Sequence, residues 1–304
     1  MSSTPRANYL IGFILTFVGS VLFSTKAIFV KLAFAGTQVD ALTLLALRMF
    51  FSFPVFILLA FFYSNKSSNV QFNRRQWIKV IFLGFIGYYL SSLFDFIGLQ
   101  YVSAGLERLI LFLYPTFAVL LNAFIFKKPI SRIQRFALLL TYVGIGIAYF
   151  GEVRIVGHDP LFYLGSFFIF LCAVTFAIYL VGSGRLIPVV GATKFTAYAM
   201  SFASIGVLSH YFMAGNGIPQ FTAPLIKYSL LLSVVATVIP IFFISNGLKR
   251  IGSNNVAIIS SIGPVSTILQ AHFVLGESLI LAQVAGTVLV IAGVLLMGWK
   301  NREI

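Results

Sequence analysis

Ten apolar tracts, each about as long as a bilayer is thick, follow one another with almost nothing between them. They cover 9–32, 41–62, 77–99, 103–126, 133–150, 161–181, 193–213, 225–247, 254–275 and 279–299. A helix needs about 20 mostly apolar residues to cross the hydrocarbon, so this pattern predicts ten transmembrane helices. The longest connections, at about 63–76 and 214–224, leave no room for a soluble domain. Only 9% of the residues are charged, against roughly a quarter in a soluble domain, so the bilayer must be the solvent. Lipid offers no partner to an unpaired backbone group, and the alternation of a barrel strand is absent. The expected fold class is therefore an all-α polytopic membrane protein.

The first tract is expected to be retained rather than removed. Ala33-Phe34-Ala35 resembles a cleavage site, but the run from Tyr9 to Leu32 exceeds a signal core of about 7–15 residues. Lys26 and Lys31 also interrupt its end.

The formal charge of +14 does not point to nucleic acid, because the basic residues cluster between apolar tracts rather than along one polar face. They set direction instead. With the N-terminus in the cytoplasm, fifteen Lys and Arg fall inside and three (Lys31, Arg154 and Lys227) fall outside. The acids Asp40, Glu152, Asp159 and Glu277 fall outside too. Ten crossings then place both termini in the cytoplasm of a multi-pass plasma-membrane protein.

The chain also repeats itself. Gly98-Leu99, Pro115, Leu120, Phe124, Leu140 and Gly144 recur 149 residues later as Gly247-Leu248, Pro264, Leu269, Phe273, Leu289 and Gly293. A looser match of Gly12 with Gly165 and Phe23 with Phe176 extends the duplication to the first and sixth tracts. The expected organisation is 1–150 and 151–304, five helices each. An odd number of crossings per copy inverts one copy relative to the other, an arrangement suited to opening alternately to two sides.

This pattern resembles the EamA family of the drug/metabolite transporter superfamily over essentially the whole chain. The likeness rests on the two five-helix repeats, on Gly263-Pro264 followed by Gly276-Glu277-Ser278, and on Arg48 early in the second helix. It implies a transporter in the bacterial inner membrane, of a family that exports amino acids and other metabolites. The sequence departs from the family where Gly-Glu is usual after the fourth helix: here it has Lys127-Lys128.

Two groups of residues are candidates for function. Pro115 and Pro264 lie at matching points of the repeats, where each removes a backbone donor and frees a carbonyl four residues earlier, on Leu111 and Ser260. Paired irregularities of this kind point to a substrate site near the midplane. Pro54 and Pro240 have no repeat partner and read as kinks. Deep polar residues would help line a solute cavity, namely Tyr88, Tyr89, Tyr114, Thr175, Tyr179, Ser260 and Ser261, with Asn122 and Gln270 near them. Tyr88 and Tyr89 point to adjacent helix faces, so at most one faces the cavity. Aromatic walls with few hydrogen-bonding groups suit a compact, partly apolar solute such as a neutral or aromatic amino acid.

The second group is charged: Lys26, Arg48, Asp95, Glu107 and Arg108 all lie in helices 1–4, and the repeat mates of the two acids are Ile244 and Val256. A charge at the centre of the hydrocarbon costs at least ~2.5–3.5 kcal/mol, so these groups should pair or face water. They are expected to form an outer gate in which Asp95 or Glu107 pairs with Lys26, Arg48 or Arg108. Lys26 has the alternative of snorkelling to the surface, and Glu107 and Arg108 of marking a wet helix start. Asp95, on a short stem, is the candidate proton carrier.

No catalytic or metal site is expected, and no cofactor. There is no phosphate-binding loop, no H-E-x-x-H, no Cys/His cluster, and the lone Cys172 allows no intrachain disulfide. Gly144-Ile-Gly146 sits inside a helix, where it serves packing. His210 and His272 have no second ligand spaced to join them. The reading is a secondary transporter of small organic metabolites by alternating access, as a monomer or homodimer. Proton-coupled uptake is the alternative, and an intramembrane enzyme acting on a lipid-linked substrate with Asp95 and Glu107 as its acid pair is a remote one.

Overall fold

A computed structural model describes residues 5–64, 71–127, 129–156, 159–215, 217, 219–260 and 262–299. Among these residues the chain is helical throughout, without strands. The helices are α1 (Pro5–Gly36), α2 (Ala41–Ser64), α3 (Arg74–Gly84), α4 (Ser91–Gly98), α5 (Ala104–Leu111), α6 (Tyr114–Phe126), α7 (Arg132–Val156), α8 (Pro160–Val190), α9 (Ala192–Met213), α10 (Ala223–Ser233), α11 (Ile239–Ser260), α12 (Gly263–Gln270) and α13 (Leu281–Trp299). Wider π-turns occupy Phe85–Leu90, Val234–Val238 and Ala271–Leu275.

Seven helical stretches are long and apolar enough to cross a membrane: Arg6–Gly36, Ala41–Ser64, Arg74–Gly98, Ala104–Ile125, Arg132–Val156, Pro160–Val190 and Ala223–Ile251. Three of the ten expected tracts fall short of that standard, for visible reasons. α9 carries Lys194, Ser201, Ser204 and His210 among its apolar residues. The tract at 254–275 breaks before Gly263-Pro264. The last apolar helix, Leu281–Leu296, is short.

The sequence duplication reappears in the backbone. α3 begins at Arg74 and α10 at Ala223; the π-turns that follow begin at Phe85 and Val234. α5 ends at Leu111 and α11 at Ser260, α6 begins at Tyr114 and α12 at Gly263, α7 at Arg132 and α13 at Leu281. Each second position lies 149 after the first. The helix breaks beside the two prolines share their bonding: Leu113 N donates to Ile110 O (3.0 Å) and Ile262 N to Ile259 O (3.3 Å). Pro115 and Pro264 each sit at the start of a new helix, so the paired irregularities are complete breaks with a restart.

Both copies also end their fourth segment in left-handed backbone, at Gly276 (φ 70°) and at Lys127 (φ 51°). Glycine takes this conformation freely, whereas an L side chain is strained there, by about 1–2 kcal/mol. Lys127→Gly should therefore raise the thermal unfolding midpoint, with a gain of about 1 kcal/mol. An unchanged or lower midpoint would show that the lysine side chain compensates.

Glycines set the closest helix approaches. A Cβ on Gly98 would lie 2.9 Å from the Gly165 carbonyl oxygen, and one on Gly247 would lie 3.2 Å from that of Gly12. These are the same two repeat-related positions meeting twice, in α4–α8 and in α11–α1. α7 and α13 cross where a Cβ on Gly144 would sit 2.6 Å from the Gly286 carbonyl oxygen. Of the Gly144-Ile-Gly146 pair, only Gly144 packs; Gly146 faces open space. The most extensive pairings, α7–α13, α1–α11, α2–α9 and α4–α8, each join a helix that begins before residue 151 to one that begins after it.

The contacts along α1 run in two directions. Gly36 lies beside Tyr228, Gly19 beside Phe243 and Ile244, and Gly12 beside Ile251, an antiparallel order. Ser20 then donates to Ser260 (2.9 Å) and Ser24 to the Gly263 carbonyl (3.2 Å), a parallel order. The contact direction reverses between Ile251 and Ser260.

Candidate functional site

Three helices bring three of the predicted charges together in the interior. Lys26 on α1 places Nζ 2.7 Å from Asp95 Oδ2 on α4 and 3.6 Å from Glu107 Oε1 on α5. Asp95 and Glu107 are all but inaccessible, at 1% and 0% exposure. Apart from the ammonium, their four oxygens meet no hydrogen-bond donor among the described residues. Two buried carboxylates thus share one lysine.

The arginines do not join them. Arg108 Nη2 donates to Ser24 Oγ (3.2 Å), and its guanidinium lies over Phe23 (5.9 Å) and Phe112 (6.0 Å). Arg48 on α2 donates from Nε to Thr237 Oγ1 (2.9 Å) and from Nη1 to Ser92 Oγ (3.5 Å), with Phe96 5.6 Å away. Of the three expected cations, only Lys26 pairs with an acid. It does not snorkel: the residue is buried, and its ammonium is turned to Asp95. Nor is Glu107–Arg108 a wet helix start, since all of α5 is buried.

The tyrosines separate as their positions on the helix require. Tyr88 OH meets Tyr179 OH at 2.7 Å, and Tyr179 lies tilted against Phe176, which in turn meets Tyr114 edge-on. Tyr89 turns away to His210 Nδ1 at 2.8 Å. Among the described residues Thr175 bonds the carbonyls of its own helix, Leu171 and Cys172. Pro115 is half-buried and Pro264 buried. Ser260 pairs with Ser20, whereas Ser261 lies outside the described residues. Asn122 bonds Ala118 O locally, and Gln270 donates to Ser266.

A second polar group lies near the start of α5. Gln283 Nε2 donates to Glu152 Oε2 (2.6 Å), and Glu277 Oε1 accepts from the Ala104 backbone N–H (3.0 Å) at the start of α5. Glu277 belongs to the Gly-Glu step that the first copy lacks. His272 Nδ1 meets the Glu277 carbonyl at 2.9 Å.

Two clefts enter the molecule elsewhere. One, of about 450 Å³, is lined by Asp40, by Thr43 of α2, Tyr211 of α9 and Leu225 of α10. The other, of about 220 Å³, is lined by Phe56 of α2, Thr196 and Ala197 of α9, and Ile241 and Lys249 of α11. None of the predicted site residues lines either cleft. Sequence reasoning missed Thr237, although it is the repeat mate of Tyr88, 149 positions on, and the one polar side chain in its π-turn.

The EamA-like transporter family model matches this chain twice, over residues 10–150 and 163–299. The chain belongs to the EamA-like transporter family. It is 34% identical over 281 residues to the uncharacterized transporter YcbK of Bacillus subtilis (strain 168), covering 90% of this chain and 88% of that one. It is 21% identical over 295 residues to the uncharacterized inner membrane transporter YicL of Salmonella typhimurium, covering 96% of both. A solved crystal structure superposes with a TM-score of 0.68 at 18% identity, over 96% of this chain and 98% of that chain, a likeness of fold alone. This EamA-like protein is accordingly a multi-pass membrane transporter, whose partners are a small solute and the lipid around it.

Proposed function

We propose that this transporter moves small organic metabolites, amino acids or close relatives, by alternating access between two inverted five-helix repeats, 1–150 and 151–304. Ten crossings would leave both termini in the cytoplasm. The observation that carries this reading is the behaviour of the helix pairings when the halves are exchanged. α1–α11 becomes α8–α4, α3–α9 becomes α10–α2, and α2–α9 and α7–α13 map onto themselves, all of them pairings present in the molecule. Such internal two-fold exchange is what a rocking transporter requires. Export is the direction that the family resemblance favours.

In this reading Lys26, Asp95 and Glu107 close the outer door, with Arg108 tied to Ser24 beside them. The aromatic group of Tyr88, Tyr114 and Tyr179, with Tyr89 directed away to His210, forms the wall against which the two helix breaks move. Pro115 and Pro264 open the helices that follow the two breaks, Ser260 closes the helix before the second, and Thr175 and Ser261 are further candidate polar positions. The sharing of one ammonium by two carboxylates also favours a coupling role for Asp95, and with it proton-driven uptake as the second reading.

Vesicles reconstituted with the protein and preloaded with a panel of amino acids test both. Counterflow of labelled solute is expected, and no exchange of any solute would defeat the transport reading. If Asp95 carries the coupled proton, Asp95→Asn will still exchange solute but will lose its response to an imposed pH gradient. An unaltered response removes Asp95 from that role. Tags placing the two termini on opposite sides of the membrane would refute the ten-span arrangement.

A further inference from the structure

The two clefts share their walls. Both lie between α2, α9 and the α10–α11 segment, one towards the connections at 37–40 and 214–222, the other towards the opposite ends of the same helices. On α2 the first cleft reaches Thr43 and the second begins at Phe56, with Arg48 between them. At 1.5 Å per helical residue, Arg48 stands roughly 8 Å along the axis from one and roughly 12 Å from the other. On the facing segment Leu225 lines the first cleft and Ile241 the second, with Thr237 between. The Arg48–Thr237 hydrogen bond is thus the partition between two openings.

Arg48 is an unusual partition. It is 4% exposed. Its two hydrogen-bond partners, Thr237 and Ser92, are neutral hydroxyls, and no carboxylate lies within ion-pair distance of it among the described residues. Asp95, the acid in the neighbouring turn of α4, is held by Lys26. A buried guanidinium presents a planar fork of donors that matches a carboxylate, and hydroxyls satisfy only part of it. Both hydroxyls are delivered by the matched π-turns: Thr237 lies within Val234–Val238, and Ser92 follows Phe85–Leu90 in the next turn. The Thr237 hydroxyl also donates to Leu232 O (2.8 Å), five residues back across the wide turn. π-turns inside helices recur at functional sites.

We propose that Arg48 is the anion-recognition residue of the transport path, and that the solutes carried bear a carboxylate which replaces the Thr237 and Ser92 hydroxyls on its guanidinium. This rests on the transport reading above and narrows its solute class. The path then runs along the α2–α9–α11 seam, with the tyrosine cluster at its side. A carboxylate arriving from either cleft would meet the same guanidinium. Its departure would restore the hydroxyl contacts and close the partition.

The test uses the full-length protein in detergent and a matched pair of probes, 3-phenylpropionate and 3-phenylpropionamide. A ligand that binds the folded state raises the unfolding midpoint with concentration. The carboxylate is expected to raise it at concentrations at least tenfold lower than the amide. Arg48→Gln should abolish that difference, and Arg48→Lys should keep the charge but weaken the preference. Thr237→Val, which leaves the charge in place, should shift the carboxylate concentration dependence several-fold and guards against an unfolded Arg48→Gln. Equal action of the two probes, no shift by either, or a preference surviving both Arg48→Gln and Thr237→Val would overturn the proposal. Amino-acid counterflow in vesicles separates the two levels. Exchange without any carboxylate preference leaves a transporter whose anion site is elsewhere, while preference without exchange leaves a binding site and removes the transport reading.

Discussion

Lys26→Met is expected to be among the most damaging single substitutions in the chain. It removes the one ammonium within ion-pair distance of Asp95 and Glu107 and leaves two carboxylates, each at 1% exposure or less, facing each other. Breaking a buried pair from one side costs roughly 3–5 kcal/mol, because the remaining charge is neither solvated nor matched. The thermal midpoint of the purified protein should fall sharply, and folded yield with it. The effect should be conditional. In an Asp95→Asn background one of the stranded charges is gone, so Lys26→Met should cost distinctly less there. A double-mutant cycle measures that coupling. Additive effects would mean that the 2.7 Å contact contributes nothing to stability.

Gly286→Leu is expected to separate α7 from α13. At Gly286 a Cβ would run into the Gly144 carbonyl oxygen, and the Cβ of Ala148 lies 2.9 Å away. The first of these neighbours is backbone, which cannot rotate aside. Overpacking of a buried contact costs typically 1–3 kcal/mol and more where backbone must move, so a loss of about 3 kcal/mol or more is expected. Gly146→Leu is the internal control: a Cβ there meets nothing within 4 Å, and the variant should keep the wild-type midpoint. Equal behaviour of the two variants would contradict this account of the α7–α13 crossing.

Much of the architecture could be read from residue patterns, because lipid imposes long apolar segments and leaves little room for alternatives. The duplication was visible in Gly98 and Gly247, and the molecule uses both for the same kind of helix crossing. The paired prolines marked real helix breaks. The divergence of Tyr88 and Tyr89 followed from their adjacency in the chain. Of the expected charge pairs, Lys26–Asp95 formed, while Arg48 and Arg108 turned to hydroxyls. Those partners were not legible, because Ser24, Ser92 and Thr237 belong to other helices and are ordinary residues in apolar tracts. The clefts were hidden for a related reason. A cleft depends on how α2, α9 and α11 lean against one another, and single side chains in one helix carry no record of that angle.

The principal helix pairings bind helices that begin before residue 151 to helices that begin after it. If the proposed leading five-helix unit inserts first, its glycine notches at 12, 98 and 144 would meet lipid tails until the trailing portion is translated. A severed leading portion should stay a loose, protease-sensitive set of helices, and co-expression of the two pieces should restore a single well-packed body.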